Sequence, residues 1–312
     1  MIKKILVTGA AGYLGSMICT YLVEEGYQVT AVDILKYDKN SLNHLFFFKN
    51  FKFLNLDITK KKNLKKILKN QDFIIPLAAL VGAPLCEKRK EEAIKVNIKS
   101  IELLLKQVKK KQKIIYPTSN SGYGIGQKTK FCDENTELNP ISLYGRTKVE
   151  AEKLISKHSN FICFRLATVF GYSYRMRTDL IVNNFVETAV KKGKLEIFEP
   201  HFRRNFIHIK DIVAAFLFSI KNFGKLKNNI YNLGLSSANI TKLNLANKIK
   251  KIIPSTKIII KKKGNDPDKR DYFVSNAKIE KTGYKAKISL DQGIKELHKV
   301  FSNSDIKFLN NY

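Results

Sequence analysis

Short apolar runs alternate along this chain with stretches in which apolar residues recur every three or four positions. Ile2–Thr8 reads as a buried strand, and Gly12–Glu25, apolar on most positions, as a helix. Gln28–Asp33 and Phe51–Leu56 are further strands. In Lys61–Lys69 the residues Leu64, Ile67 and Leu68 fall at i, i+3, i+4 among lysines, the pattern of an amphipathic helix. Phe73–Pro76 is a short buried strand, and Glu87–Lys110 is expected to form one long helix, with Lys109, Lys110 and Lys111 suiting its negative end. Lys113–Pro117 is a strand, Ser142–Lys157 a helix and Phe161–Leu166 a strand. Near-continuous apolar strands separated by helices imply a parallel sheet covered on both faces. After Gly171 the rhythm loosens. Helices near Asp179–Lys191, Ile209–Phe223 and Leu243–Ile252 lie between short strands. We therefore expect an α/β protein with a first domain over residues 1–172, to which 205–235 return, and a smaller lobe from 173–204 and 236–312.

Charge at first points elsewhere. The 312 residues carry 57 Lys+Arg against 27 Asp+Glu, a net +30, which invites a polyanionic partner such as nucleic acid. Only eight of the 57 are arginine, the residue suited to bidentate phosphate and base contacts. The lysine surplus reads as background, the runs at 60–62, 109–111 and 261–263 as solvated surface, and no nucleic-acid partner is expected. With 44% hydrophobic residues there is ample material for a core. Ile5 to Val23 is uncharged, yet Gly9, Gly12 and Gly15 interrupt it, so strand, turn and helix explain it better than a signal peptide or membrane span. Cys19, Cys86, Cys132 and Cys163 are widely spaced. They suggest free thiols in a reducing cytoplasm, with neither zinc site nor disulfide framework. No cluster has metal-ligand spacing.

The candidate chemistry begins where the first strand meets the first helix, at Thr8-Gly-Ala-Ala-Gly-Tyr-Leu-Gly15. Gly9 permits a tight turn, Gly12 lets backbone approach a pyrophosphate, and Gly15 lets helix pack on strand. Asp33 closes the second strand, where a carboxylate accepts from ribose hydroxyls and repels a 2′-phosphate, favouring NAD over NADP. The sheet is then a Rossmann-type doubly wound one. Asp57, ending the third strand, either meets the adenine or caps the next helix. Tyr144 and Lys148 stand at i, i+4, on one helix face, and an ammonium beside a phenol lowers its pKa from about 10. Upstream, Ile114–Gly124 is a strand ending in hydroxyl residues, at the edge where such sheets bind ligands.

Together these segments resemble the extended short-chain dehydrogenase/reductase family of sugar-nucleotide epimerases and dehydratases, over essentially the whole chain. Thr8–Gly15 is similar to its T-G-x-x-G-x-x-G loop, and Leu77-Ala-Ala79 to its L-A-A, though Pro76 stands where His is usual. Thr118-Ser119 with Gly122-Tyr-Gly124 resembles S-S-x-x-V-Y-G. Phe164–Gly171 resembles L-R-x-x-N-V-Y-G with Thr168 for Asn, and Arg204–Asp211 resembles R-D-F-I-H-V-x-D. The resemblance implies Ser119, Tyr144 and Lys148 as catalytic residues. It implies Gly9, Gly12, Tyr13, Leu14, Gly15, Asp33, Asp57, Ile58, Leu77, Ala78, Ala79, Tyr144 and Lys148 around NAD. It implies Val81, Gly82, Ser121, Asn183, Arg203, Arg204 and Arg270 around a nucleotide sugar. The implied first step is hydride transfer from a sugar carbon, usually C4, to NAD, with Tyr144 taking the hydroxyl proton. Dehydratases of the family carry Asp-Glu next to the catalytic hydroxyl; here the place reads Asn120-Ser121.

Finer blocks, among them Leu77–Cys86, Arg175-Met-Arg177, His201–Arg204, Gly234–Asn239 and Asp266–Asp271, are similar to GDP-heptose C4 dehydrogenases of capsular sugar pathways, except that Ser119 stands where Thr is expected. That likeness implies a GDP-sugar substrate and a 4-keto product; a nucleotide-sugar 4-epimerase is the alternative, and an NAD-binding sensor without turnover a rival of another class. Cys86 reads as a buried small hydrophobe and His208 as a core histidine. Tyr13, Tyr123 and Tyr172 line the cleft or pack. Apolar stripes at Ile94, Ile98, Ile101, Leu105 and at Leu143, Val149, Leu154 imply, by the resemblance, a homodimer through paired helices; coverage by the chain's own sheet is the alternative.

Overall fold

The computed structural model describes residues 2–126, 130–261 and 270–303. Its strands are β1 (Lys4–Thr8), β2 (Gln28–Asp33), β3 (Phe51–Asn55), β4 (Phe73–Pro76), β5 (Lys113–Ser119), β6 (Phe161–Leu166), β7 (Thr168–Phe170), β8 (Lys194–Ile197), β9 (Arg203–His208), β10 (Asn229–Leu233), β11 (Asn239–Thr241) and β12 (Lys257–Ile260). Seven of them form one parallel sheet in the order β10-β6-β5-β4-β1-β2-β3. The chain runs outward from β1 to β3, then crosses back to β4 on the other side of β1. The sheet thus has its switch point between β1 and β4, where a crevice opens beyond the carboxyl ends of the strands.

Side-chain alternation explains why both faces are covered. Ile5, Val7, Phe73 and Ile75 face one way, onto Met17, Ile18 and Leu22 of helix Tyr13–Glu24 and Ile212, Val213 and Phe216 of helix Ile209–Lys221. Leu6, Ile74 and Ile114 face the other way, onto Leu64, Ile101, Ala151 and Ile155. The remaining strands make a three-stranded sheet, β11-β9-β7, and a parallel pair, β12-β8. β10 is an edge of the main sheet, whereas β7 pairs in the smaller one, starting two residues after β6 ends at Leu166. Among the described residues no helix is long and apolar enough to cross a membrane, and all four cysteines are free and buried.

One expected helix is absent as drawn. In place of Glu87–Lys110 there are Ala83–Lys88, Lys90–Ile94, a π-helical turn at Lys95–Lys99, and Ser100–Leu105. Pro84 sits in the first turn, where it needs no partner for a missing N–H, so the helix starts earlier than expected. Arg89 leaves helical geometry (φ −129°, ψ 57°) and breaks it. The wide turn carries Asn97, fully buried, whose amide accepts from Leu80 N–H (2.8 Å) and donates to Leu80 C=O (2.9 Å) and Thr147 Oγ1 (3.1 Å). A helix register shift is thereby traded for a fastening of the loop after β4. Because the helix ends at Leu105, Lys109–Lys111 lie beyond it, in a turn.

Candidate active site

β1 ends at Thr8, and Gly9 turns the chain with φ +69°. A side chain there is doubly excluded: a Cβ would lie 2.5 Å from the backbone nitrogen of Ala78, in the loop after β4. Gly15 is as tightly held, since a Cβ would meet the Gly9 carbonyl at 2.2 Å. These close approaches join the two strand ends at the switch point, helped by Leu77 N–H donating to Thr8 C=O (2.9 Å). Helix Tyr13–Glu24 starts at Gly12 with no side-chain cap and no acidic residue in its first turn. Its first N–H groups and dipole suit an anion.

Asp33 ends β2 with one carboxylate oxygen accepting from Ala11 N–H (3.0 Å) and the other from Leu35 N–H (2.8 Å). Burial raises its pKa, opposed by those N–H groups and by the charge of Arg175. The two bonds orient the carboxylate and leave lone pairs for hydroxyl donors. Asp57 lines the same cavity, but its carboxylate accepts from Thr59 N–H (2.8 Å) and Oγ1–H (2.7 Å). It therefore closes the turn ahead of helix Lys61–Leu68, whose N-cap is Lys60, rather than capping the helix itself.

β5 ends at Ser119, two residues beyond the expected end, and helix Leu143–Ile155 is capped by Ser142, whose hydroxyl accepts from Gly145 N–H (3.1 Å). Gly145 has no room for a Cβ between Pro140 and the Ser121 carbonyl, so this helix start is pressed against the loop after β5. That contact brings Tyr144 to Ser119. The Ser119 hydroxyl accepts from both N–H (3.1 Å) and Oγ–H (2.8 Å) of Ser121, which leaves its own proton free to be donated, and it lies close enough to Tyr144 to pull that phenol's pKa down. Burial pushes the Tyr144 phenol up to about 12, against the pull of Arg177, Arg270 and Ser119. Here the expectation needs correcting. The cations opposing burial at the phenol are Arg177 and Arg270, while the Lys148 ammonium donates to Pro117 C=O (3.2 Å) and Tyr116 Oη (3.4 Å), and burial brings it down to about 8.

One cavity of about 760 Å³ joins these parts. Gly9, Gly12, Tyr13, Leu14, Gly15, Asp33, Asp57, Ile58, Leu77, Ala78, Ala79, Tyr144 and Lys148 line it, as do Ser119, Val81, Gly82, Ser121, Arg204 and Arg270. Two expected substrate residues do not. Asn183 is fully buried as a bracket: it accepts from Gly171 N–H (3.0 Å) and donates to Arg177 C=O (2.8 Å) and Tyr13 Oη (3.4 Å). Arg203 is turned to Asp271, Nε–Oδ1 2.8 Å, its guanidinium over the Phe273 ring. The neighbouring Asp266, Pro267, Asp268 and Lys269 lie outside the described residues.

The cavity also takes residues to which the sequence gave no individual role. Arg175, Arg177 and Asp179 enter it from the loop after β7, and Lys36 and Tyr37 from the loop after β2. Arg177 is held bidentately by Asp179, through Nε (3.0 Å) and Nη2. The sequence signal was a cluster of scarce arginines; their direction was not legible. Cys86 behaves as a buried hydrophobe, its thiol raised to about 11 by burial. His208 is a buried core histidine, accepting from Lys210 N–H at Nδ1 and facing Glu296 across 3.3 Å. Tyr13 reaches the cavity while donating to Gly171 C=O (2.7 Å). Tyr123 packs instead against Tyr272 and Arg165.

The glycine cradle, uncapped helix start and oriented Asp33 fit a dinucleotide. A family model for the NAD dependent epimerase/dehydratase family matches residues 5–234. The UDP-glucose 4-epimerase of Lactobacillus helveticus is 28% identical over 85% of this chain and 87% of its own. The dTDP-D-glucose 4,6-dehydratase of Homo sapiens is 26% identical over 94% and 88%. The crystal structure of UDP-glucose 4-epimerase with UDP-glucose from Thermotoga maritima superposes with a TM-score of 0.83 at 25% identity, covering 96% of this chain and 98% of that one.

Proposed function

This chain belongs to the NAD dependent epimerase/dehydratase family, and from that premise we propose that it oxidises a nucleotide-activated sugar at C4, with a GDP-heptose as substrate and a 4-keto sugar as product, in the making of surface or capsular polysaccharide. The observation that carries the reading is the convergence of Ser119, Tyr144 and Lys148 on one cavity with the glycine cradle and Asp33. Bound NAD supplies a hydride acceptor. Tyr144, as the phenolate that Arg177 and Arg270 favour against burial, takes the proton of the C4 hydroxyl while the hydride passes to NAD, and Ser119, itself held by Ser121, aligns that oxygen. Lys148, anchored on Pro117, brings a positive charge to the same cavity. Arg204 and Arg270 offer charge to the diphosphate of the sugar nucleotide.

Dehydration is the disfavoured branch. Beside Ser119 stand Asn120, buried with neither amide atom hydrogen-bonded, and Ser121, so no acid or base flanks the hydroxyl for elimination. A 4-epimerase shares every step up to the ketone, and the UDP-glucose 4-epimerase likeness supports it equally. The deciding experiment offers the protein GDP-, UDP-, dTDP- and CDP-sugars while absorbance at 340 nm is followed. A lasting rise with a GDP-heptose supports net oxidation. An epimeric product without a rise supports epimerisation. No turnover with any nucleotide sugar overturns the reading.

The same reading pairs two copies through helix Leu143–Ile155 and the segmented helices before it. Ile94 is 39% exposed there, and Ile98, Leu143 and Leu154 are half-covered. Light scattering is expected to give a dimer; a monomer at micromolar concentration sinks the pairing.

A further inference from the structure

Arg175 is 2% exposed, yet its Nη2 has no hydrogen-bond partner. Other covered arginines are matched: Arg165 by Glu152 (2.7 Å), Arg177 by Asp179, the less covered Arg203 by Asp271 (2.8 Å), and Arg204 donates to Arg203 C=O (2.8 Å). No carboxylate among the described residues lies within ion-pair distance of Arg175, although Asp38 and Asp179 act on it from further away and Arg177 repels it. One face of its guanidinium is covered by the Tyr37 ring, at 5.2 Å. A desolvated charge held this way is costly unless something anionic completes its surroundings.

The position of Arg175 says what that is. Its loop is stitched to the start of helix Tyr13–Glu24: the Ser173 hydroxyl donates to Tyr13 C=O (2.8 Å) and shares a bond with Ser16 Oγ (3.1 Å). Arg175, two residues on, hangs its backbone N–H on the same hydroxyl (3.3 Å) and lines the cavity. Its charge is felt at Asp33, on the adenosine side. The uncapped helix N-terminus and an unpartnered buried guanidinium thus meet over one space, while Arg204 and Arg270 serve the substrate lobe.

We propose that Arg175 is a cofactor-binding residue, its free Nη2 donating to the pyrophosphate of the dinucleotide opposite the N–H groups of helix Tyr13–Glu24. The inference rests on NAD dependence and is independent of which sugar is oxidised. It makes the loop after β7, which the sequence reading gave to the substrate lobe, part of the cofactor site. A charge-assisted donor of this kind is strong and directional.

The test is binding, not turnover. Protein freed of dinucleotide is titrated with NADH, ADP-ribose, adenosine, and UDP or GDP, by fluorescence and calorimetry. Arg175→Met is expected to weaken NADH and ADP-ribose about tenfold and to leave adenosine, UDP and GDP within twofold of the parent. NADH affinity within twofold of the parent overturns the proposal. So does an equal loss for adenosine, or a loss confined to UDP and GDP. Should Arg175→Met fail to fold, Arg175→Lys, which keeps the charge without the fork, is measured in the same way. NADH affinity within twofold of the parent in that variant overturns the proposal, and a selective loss for NADH and ADP-ribose supports it.

Discussion

The ammonium of Lys148 donates to the carbonyl of Pro117 at 3.2 Å, so the i, i+4 partner of Tyr144 is tied to the end of β5. Burial lowers this lysine to about 8, from 10.5 in the unfolded chain. Between those values the unfolded chain binds the proton that the folded one has lost, so stability from this group rises with pH through that window. Below pH 8 the burial cost is fully present. In dinucleotide-free protein, Lys148→Met is therefore expected to be more stable than the parent at pH 7, by about 2 kcal/mol, with the gap closing by pH 10. Denaturant melts at both pH values check this; an equal gap at both would count against it. The same variant should lose activity.

Tyr144→Phe removes the proposed proton acceptor while keeping the ring. Loss of a positioned acid–base group costs about 10²–10⁴ in rate. We expect kcat to fall by that order with nucleotide-sugar affinity nearly unchanged, measured by single-turnover absorbance and by calorimetry. A drop of less than tenfold would mean another group takes the proton.

Gly15→Ala places a methyl 2.2 Å from the Gly9 carbonyl, which is backbone and cannot move aside cheaply. The variant is expected to lose several degrees of melting temperature and most NADH binding. Gly224→Ala, where nothing lies within 4 Å of the added carbon, should leave both unchanged. Thermal melts and fluorescence titrations of the two compare a closed position with an open one.

Arg203 and Arg204 are neighbours with opposite assignments. Arg204 lines the cavity and donates to Arg203 C=O (2.8 Å), whereas Arg203 grips Asp271. Arg204→Met should raise KM for the nucleotide sugar tenfold or more with little effect on kcat. Arg203→Met should act mainly on stability, by leaving Asp271 only the backbone N–H at position 203 in place of the guanidinium that, with that N–H, holds the carboxyl below its usual range. Steady-state kinetics and melts on both variants separate the roles, and a larger KM effect at Arg203 would reverse them.

Much of this protein is local enough to be read from its residues. Apolar runs of strand length between amphipathic stretches specify a parallel sheet, since only burial on both faces accommodates them. Gly9, Gly12 and Gly15 mark a cradle because a missing side chain is itself the signal, and Asp33 follows at the distance one helix and one strand impose. Ser119, Tyr144 and Lys148 were legible because a strand end and one helical turn place them with little help from the remainder. What the sequence does not encode locally is which of several like residues turns toward the site. Asn97 was hidden by a π turn that depends on a loop 17 residues away. Asn183 and Arg203 looked equivalent to cavity residues, until partners 12 and 68 positions distant claimed their polar atoms. Arg175 reaches the neighbourhood of Asp33 across more than a hundred residues of chain because Ser173 is stitched to Tyr13. Periodicity and turn chemistry act between near neighbours, so sequence determined the scaffold and the turn that brings Ser119, Tyr144 and Lys148 to one cavity; the pairing of buried charges is a long-range balance of desolvation against whatever partner folding delivers, and only the tertiary structure decided it.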